Sequence, residues 1–115
     1  MIQNFAPKGH RSDSVAYNGI LFCAGMVADD LSKDANGQTA EICVKIDKLL
    51  ADAGTSKERL LNATIWLADV REREDIGEAW NAWVVEGHQP ARSCIGATLG
   101  KGIKVEIAVV AAMPD

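Results

Sequence analysis

The segment Ile103 to Ala112, Ile-Lys-Val-Glu-Ile-Ala-Val-Val-Ala-Ala, constrains the fold more than any other part of the chain. Ile103, Val105, Ile107 and Val109 share one parity, and Ala108, Val110 and Ala112 share the other. A strand with one wet face alternates apolar and polar residues, so a strand apolar on both parities needs cover on both faces of its sheet. The chain has little to spare for this. It has 115 residues, 48% of them apolar, and a domain of roughly 100 to 150 residues buries only about two-thirds of the surface its unfolded chain exposes. The sequence therefore predicts one domain over residues 1–115, with a second copy of the chain as the cover for the face its own helices do not reach.

The rest of the chain supplies the helices and the remaining strands. Val15 to Ala24 reads as two short strands around Asn18-Gly19, the dipeptide that most favours a two-residue hairpin, with Gly25 closing the second strand. Asp29 to Gln38 reads as a polar loop. From Thr39 to Ala53, Ile42, Ile46, Leu49, Leu50 and Ala53 fall on one face of a 3.6-residue period, Lys45, Asp47, Lys48 and Asp52 take the wet face, and Gly54 is a C-terminal stop. Ala63 to Ala68 reads as a strand buried on both faces. A second helix is expected from Glu74 to Val85, with Ile76, Ala79, Trp80, Trp83 and Val84 on its apolar face and Glu72, Glu74 and Asp75 near its positive end. Arg92 to Leu99 and Ile103 to Ala112, around Gly100-Lys101-Gly102, read as an antiparallel pair. The order ββ-α-β-α-ββ predicts an α+β sandwich with both helices on one face of one sheet.

Charge and composition narrow the function. The formal net charge is −4 and the cations are scattered, which leaves no footprint for a phosphate backbone, so no nucleic-acid partner is expected. No apolar run approaches the roughly 20 residues of a membrane span, and Met1 to His10 has no apolar core flanked by positive charge, so neither membrane insertion nor secretion is expected. Cys23, Cys43 and Cys94 are an odd number without a C-x-x-C pair, which fits free thiols in a reducing cytoplasm. His10 and His88 stand 78 positions apart with no ligand spacing around either, so no metal is expected. Serine-triad and phosphate-loop motifs are absent as well.

Two charged residues remain. Glu106 interrupts the most apolar strand, where a carboxylate is costly unless paired or hydrogen-bonded; it is either an edge residue pairing with Lys104 or Lys101, or a functional group. Arg92 opens the preceding strand after Pro90, with Cys94 and Gly96 on its parity; it is either a rim charge or a fork for a carboxylate. Cys94 reads as a small buried hydrophobe, and Trp66, Trp80 and Trp83 as core and interface anchors.

Pro90-Ala91-Arg92-Ser93-Cys94-Ile95, followed by Lys104-Val105-Glu106-Ile107, closely resembles the signature of the Rid, or YjgF, family of enamine/imine deaminases. Ala24-Gly25 and Ala63 to Asp69 extend the likeness over most of the chain. The resemblance implies a chorismate-mutase-like α+β fold assembled as a homotrimer, with three sites in clefts between subunits. It implies hydrolysis of small 2-imino acids to 2-oxo acids and ammonia, without metal or organic cofactor. Carried over residue by residue, Arg92 binds the substrate carboxylate, Glu106 positions or activates the attacking water, and backbone near Gly25 and Cys94 holds the imine nitrogen. Arg11 stands where the family usually has an aromatic residue, Gly77 where it has an Asn in the second helix, and the loop Val85 to Pro90 is shorter than in well-known members. Those differences at the cleft rim keep open a non-catalytic carboxylate-binding regulator. A ribonuclease or translation inhibitor is disfavoured by the net charge and the lack of a His pair.

Overall fold

A short strand not expected from the sequence, β1 (Gln3–Phe5), opens the computed structural model, which describes all residues 1–115. It pairs antiparallel with β2 (Ser14–Tyr17), which turns into β3 (Ile20–Cys23). The turn lies at Asn18-Gly19, as expected, with φ of 51° and 78°. Two successive positive φ values match the twist of the flanking strands, and Asn-Gly tolerates them best.

Helix α1 (Ala35–Ala53) starts four residues before the expected Thr39. Asp34 supplies the reason, because its carboxylate accepts the Gly37 N–H at 2.7 Å and caps a first turn that apolar periodicity alone does not mark. The helix ends at Gly54, and its buried stripe contains Ile42, Ile46, Leu49, Leu50 and Ala53 as expected. Strand β4 (Leu60–Leu67) follows, then a 3-10 turn at Val70–Glu72 and the short helix α2 (Gly77–Trp83). The expected helix from Glu74 to Val85 is thus shorter at both ends, and Glu72, Glu74 and Asp75 belong to the turns that lead into it. Trp80 and Trp83 bury against the core, ring centroids 5.3 Å apart, and the Trp83 indole N–H donates to Asp47 of α1 at 2.9 Å.

The expected antiparallel pair at the C-terminus is not formed. β5 (Ala91–Gly96) runs parallel to β4 at the sheet edge, and β6 (Val105–Ala112) lies between β3 and β4, antiparallel to both. The six-stranded order is β1-β2-β3-β6-β4-β5, so the 97–104 connection carries the chain past β4. Apolar demand explains the exchange. β6 is apolar on both parities and takes the centre of the sheet, whereas β5, with Arg92 and Ser93 exposed, fits an edge. Gln38 of α1 fixes the connection, its buried amide donating to the carbonyls of Lys33 at 3.1 Å and Gly102 at 3.2 Å while its oxygen accepts from the Lys104 N–H at 2.9 Å.

Both helices pack on one face of this mixed sheet. Leu21, Ala63, Ile65, Leu67, Val105, Ile107 and Val109 point towards them, each at most 1% exposed. The other face carries Val15, Tyr17, Ile20, Phe22, Ala108, Val110 and Ala112 and is covered by nothing in the chain, with Tyr17 48% and Phe22 51% exposed. Apolar cover is therefore missing on the side where the sequence predicted it would be.

Candidate active site

Glu106 lies on the open face, opposite Trp66 of β4 and beside Ala108. It pairs with neither Lys101 nor Lys104, and it takes part in none of the ion pairs within the chain. Its neighbour is Gly25. After β3 the chain continues alongside β6, where the Met26 N–H donates to Ile107 O at 2.8 Å and the Ile107 N–H donates back to Met26 O at 3.0 Å. This brings the Gly25 backbone against the Glu106 carboxyl so closely that a Cβ at position 25 would collide with Oε2 and stand 3.0 Å from Cδ. Only glycine leaves room for the two to face each other. From the helix side, the Lys45 ammonium donates to Val27 O at 2.7 Å and pins the segment that carries Gly25.

Arg11 belongs to the same group. Its guanidinium donates to Gly25 O at 3.4 Å and approaches Asp13 at 3.8 Å. Arg11, Gly25, Met26 and Val27, with Lys45, Lys48 and Leu49 of α1, line a cleft of about 310 Å³ between the helix and the strand loops.

The other sequence-predicted residues lie elsewhere. Arg92 pairs with Ala63 in the register of β5 on β4, on the parity that faces the helices, and its guanidinium stands 5.7 Å from the centre of the Trp80 ring. It too is free of ion pairs within the chain, and the aromatic face gives the cation a fixed resting place while its donors stay available. Cys94, two residues on, sits opposite Ile65 and packs half-buried against the core. Gly77 begins α2, one turn before Trp80, where an added Cβ would meet only Asn81 Nδ2 at 3.9 Å. No close packing therefore demands a glycine there.

The sequence-predicted residues thus divide into two groups. Glu106, Gly25 and Arg11 gather around the open face and the cleft beside it; Arg92, Cys94 and Gly77 gather around the edge strand and α2. Arg92 and Glu106 stand on opposite parities of one sheet, with β4 between their strands, so a small molecule cannot touch both within a single chain. Trp80 as the seat of Arg92 was missed from the sequence, where its helical period marked it only as core. The sequence marks Lys45 and Lys48 as a solvated face, and only the packing of α1 beside Gly25 turns that face into a cleft wall.

The remaining cysteines are poor nucleophiles. Burial pushes the thiols of Cys23 and Cys43 up to about 12, far from the thiolate that reactivity requires. No helix of the chain is long and apolar enough to cross a membrane.

Known proteins share this architecture. The family model of Endoribonuclease L-PSP matches residues 1–113. A RutC family protein of Haemophilus ducreyi is 42% identical over 103 residues, covering 89% of this chain and 88% of that protein, and the RutC family protein YoaB of Escherichia coli is 43% identical over 103 residues, covering 89% and 90%. Among solved structures, a YjgF family member from Neisseria meningitidis superposes with a TM-score of 0.92 at 34% identity, covering 100% of this chain and 97% of that one. A protein described as a putative translation initiation inhibitor from Salmonella typhimurium superposes at 0.88 with 41% identity, covering 97% of each chain. With the signature strands, the sheet order and these likenesses in agreement, the chain belongs to the Rid/YjgF family, the family also described as Endoribonuclease L-PSP.

Proposed function

We propose that this protein is a deaminase that hydrolyses reactive 2-imino and 2-enamino acids, such as 2-iminopropanoate and 2-iminobutanoate, to 2-oxo acids and ammonia. The active form is a homotrimer, and each site takes Arg92 from one chain and Glu106 from its neighbour. The observation that carries this reading is the separation of two unpaired, oppositely charged groups onto opposite faces of a sheet whose second face is apolar and uncovered. Covering that face with other copies of the chain buries the apolar surface and offers each Glu106 the Arg92 edge of another subunit.

The chemistry follows from the groups. The Arg92 fork holds the substrate carboxylate bidentately and fixes the planar C=N beside it. Glu106, held against Gly25, accepts a proton from water as the water oxygen bonds to the imine carbon. The resulting carbinolamine takes that proton on nitrogen, its hydroxyl proton passes to the regenerated Glu106 carboxylate as the C–N bond breaks, and ammonia leaves with a 2-oxo acid behind. No electrons are exchanged, so the step needs no redox cofactor. Free Cys23, Cys43 and Cys94 are consistent with a reducing, cytoplasmic setting.

The test generates 2-iminobutanoate with a threonine dehydratase and follows imine loss by semicarbazide trapping. Wild type accelerates the loss, while Arg92→Ala and Glu106→Gln each remove the acceleration. Refolding the two inactive variants together then restores activity to about a quarter of the wild-type level, because random assembly leaves that share of clefts with both native residues. Activity in neither variant nor mixture refutes the shared site, and an inactive wild type refutes the deaminase. The carboxylate-binding alternative has one observation in its favour, the open space at Gly77 near the Arg92 edge. Stabilisation by 2-oxobutanoate without imine turnover supports it.

A further inference from the structure

The cleft beside Gly25 is chemically unlike the rest of the molecule. In a chain of formal net charge −4, it is lined by four cations, Lys8, Arg11, Lys45 and Lys48, against two carboxylates, Asp13 and Asp52. The four are not equally engaged. Lys45 is committed to Val27 O and Asp29, at 2.7 and 3.0 Å, and Lys8 reaches Asp13 at 3.0 Å. Arg11 is held only by contacts at the edge of bonding distance, 3.4 Å to Gly25 O and 3.8 Å to Asp13, and its side chain is 40% exposed. Most of its five donors are unspent. Lys48, from the facing helix, has a single partner, Asp52, and is 76% exposed.

Position matters as much as charge. Gly25 is a wall of this cleft and also the residue against which Glu106 rests, and Arg11 donates to its carbonyl, so Arg11 and Glu106 both contact the same residue. The cleft volume of about 310 Å³ exceeds what a three-carbon imino acid fills, and its excess positive charge is wasted on a methyl or ethyl side chain.

Resting on the deaminase reading above, we propose that the preferred substrates are 2-imino dicarboxylic acids, such as 2-iminosuccinate and 2-iminoglutarate, and that Arg11 binds the distal carboxylate with Lys48 adding charge from the opposite wall. Arg92 then takes the carboxylate next to the imine and Arg11 the one at the far end. A site built to pair a substrate charge discriminates strongly against analogues that lack it, since its own cation is otherwise left unpaired.

The test compares kcat/KM for 2-iminosuccinate and 2-iminopropanoate, made in place from aspartate and alanine by flavin-dependent amino-acid oxidases and trapped with semicarbazide. Wild type favours the dicarboxylate about tenfold or more, Arg11→Gln collapses that ratio, and Lys48→Gln, on an exposed helix surface, lowers it a few-fold. The ratio is the readout, so an effect of either substitution common to both substrates does not disturb it. A wild-type ratio near one, or a ratio unmoved in Arg11→Gln, overturns the proposal. If wild type hydrolyses neither imine, the deaminase reading fails on its own, and calorimetry with 2-oxoglutarate against 2-oxobutanoate decides the anion preference separately. Tighter 2-oxoglutarate binding that is lost in Arg11→Gln upholds the role of Arg11; equal or absent binding overturns it.

Discussion

Gly25 is the residue on which the Glu106 half of the proposed site turns. Gly25→Ala places a methyl group where Glu106 Oε2 now lies, so the carboxylate must swing away. Imine hydrolysis is expected to fall about tenfold or more while the melting temperature changes little, because the displaced group sits on a surface and not in the core. Measuring kcat/KM and Tm on the same preparation checks this, and an unimpaired enzyme rules out Glu106 acting from its present position. The buried thiols give a pH prediction. Cys23 and Cys43 have folded-state pKa values of about 12 against 9.0 in the unfolded chain. A raised folded value means that the stabilisation is complete below 9.0 and is lost as pH rises towards 12. Urea unfolding between these limits is expected to show falling stability, with a smaller decline in Cys43→Ala. At this scale the contiguous motifs single out Arg92 and Glu106 as candidates, whereas the Trp80 seat of Arg92 joins residues from different elements and leaves no local trace.

Elements of secondary structure were legible where a local rule governs them. Asn18-Gly19 placed the hairpin, and the apolar period with Gly54 placed the body and end of α1. The start of α1 depended on one capping side chain, and Asp34→Ala is expected to cost about 1 kcal/mol in urea unfolding. Gln38 is the stronger test of how α1 positions β6. Its amide bonds the carbonyl at 33, just before α1, and the carbonyl at 102 and N–H at 104, at the approach to the strand bearing Glu106. Gln38→Leu leaves those part-buried backbone groups without their partner, with an expected loss of about 2 kcal/mol. The loss of activity at a temperature where the variant is still folded is expected to exceed that of Asp34→Ala, whose cap lies outside this network. The placement of β5 was not legible, because a glycine-rich turn between two apolar runs resembles a hairpin, and only competition for the central position sends β6 to the other side of β4.

For the molecule as a whole, the open face decides what the protein can be. Val110 stands in its middle, opposite Phe22 on one neighbouring strand and Asn62 on the other. If the proposed trimer forms over this face, Val110→Asp shifts the species seen in sedimentation from trimer to monomer and abolishes the proposed imine hydrolysis even though Arg92 and Glu106 are intact. A monomer that remains active contradicts the shared site. The sequence by itself determined that the last strand is apolar on both faces and that two helices lie on one side of an α+β sheet, and its motifs singled out Arg92 and Glu106 as the charges to follow. These features follow from periodicity and motif, which are properties of neighbours along the chain. Only the tertiary structure decided that β5 runs parallel to β4, that Arg92 and Glu106 look out from opposite faces, and that Arg11, Lys45 and Lys48 share a cleft with Gly25. Side-chain direction in a sheet depends on register and strand order, and both are settled by which strand wins the buried centre.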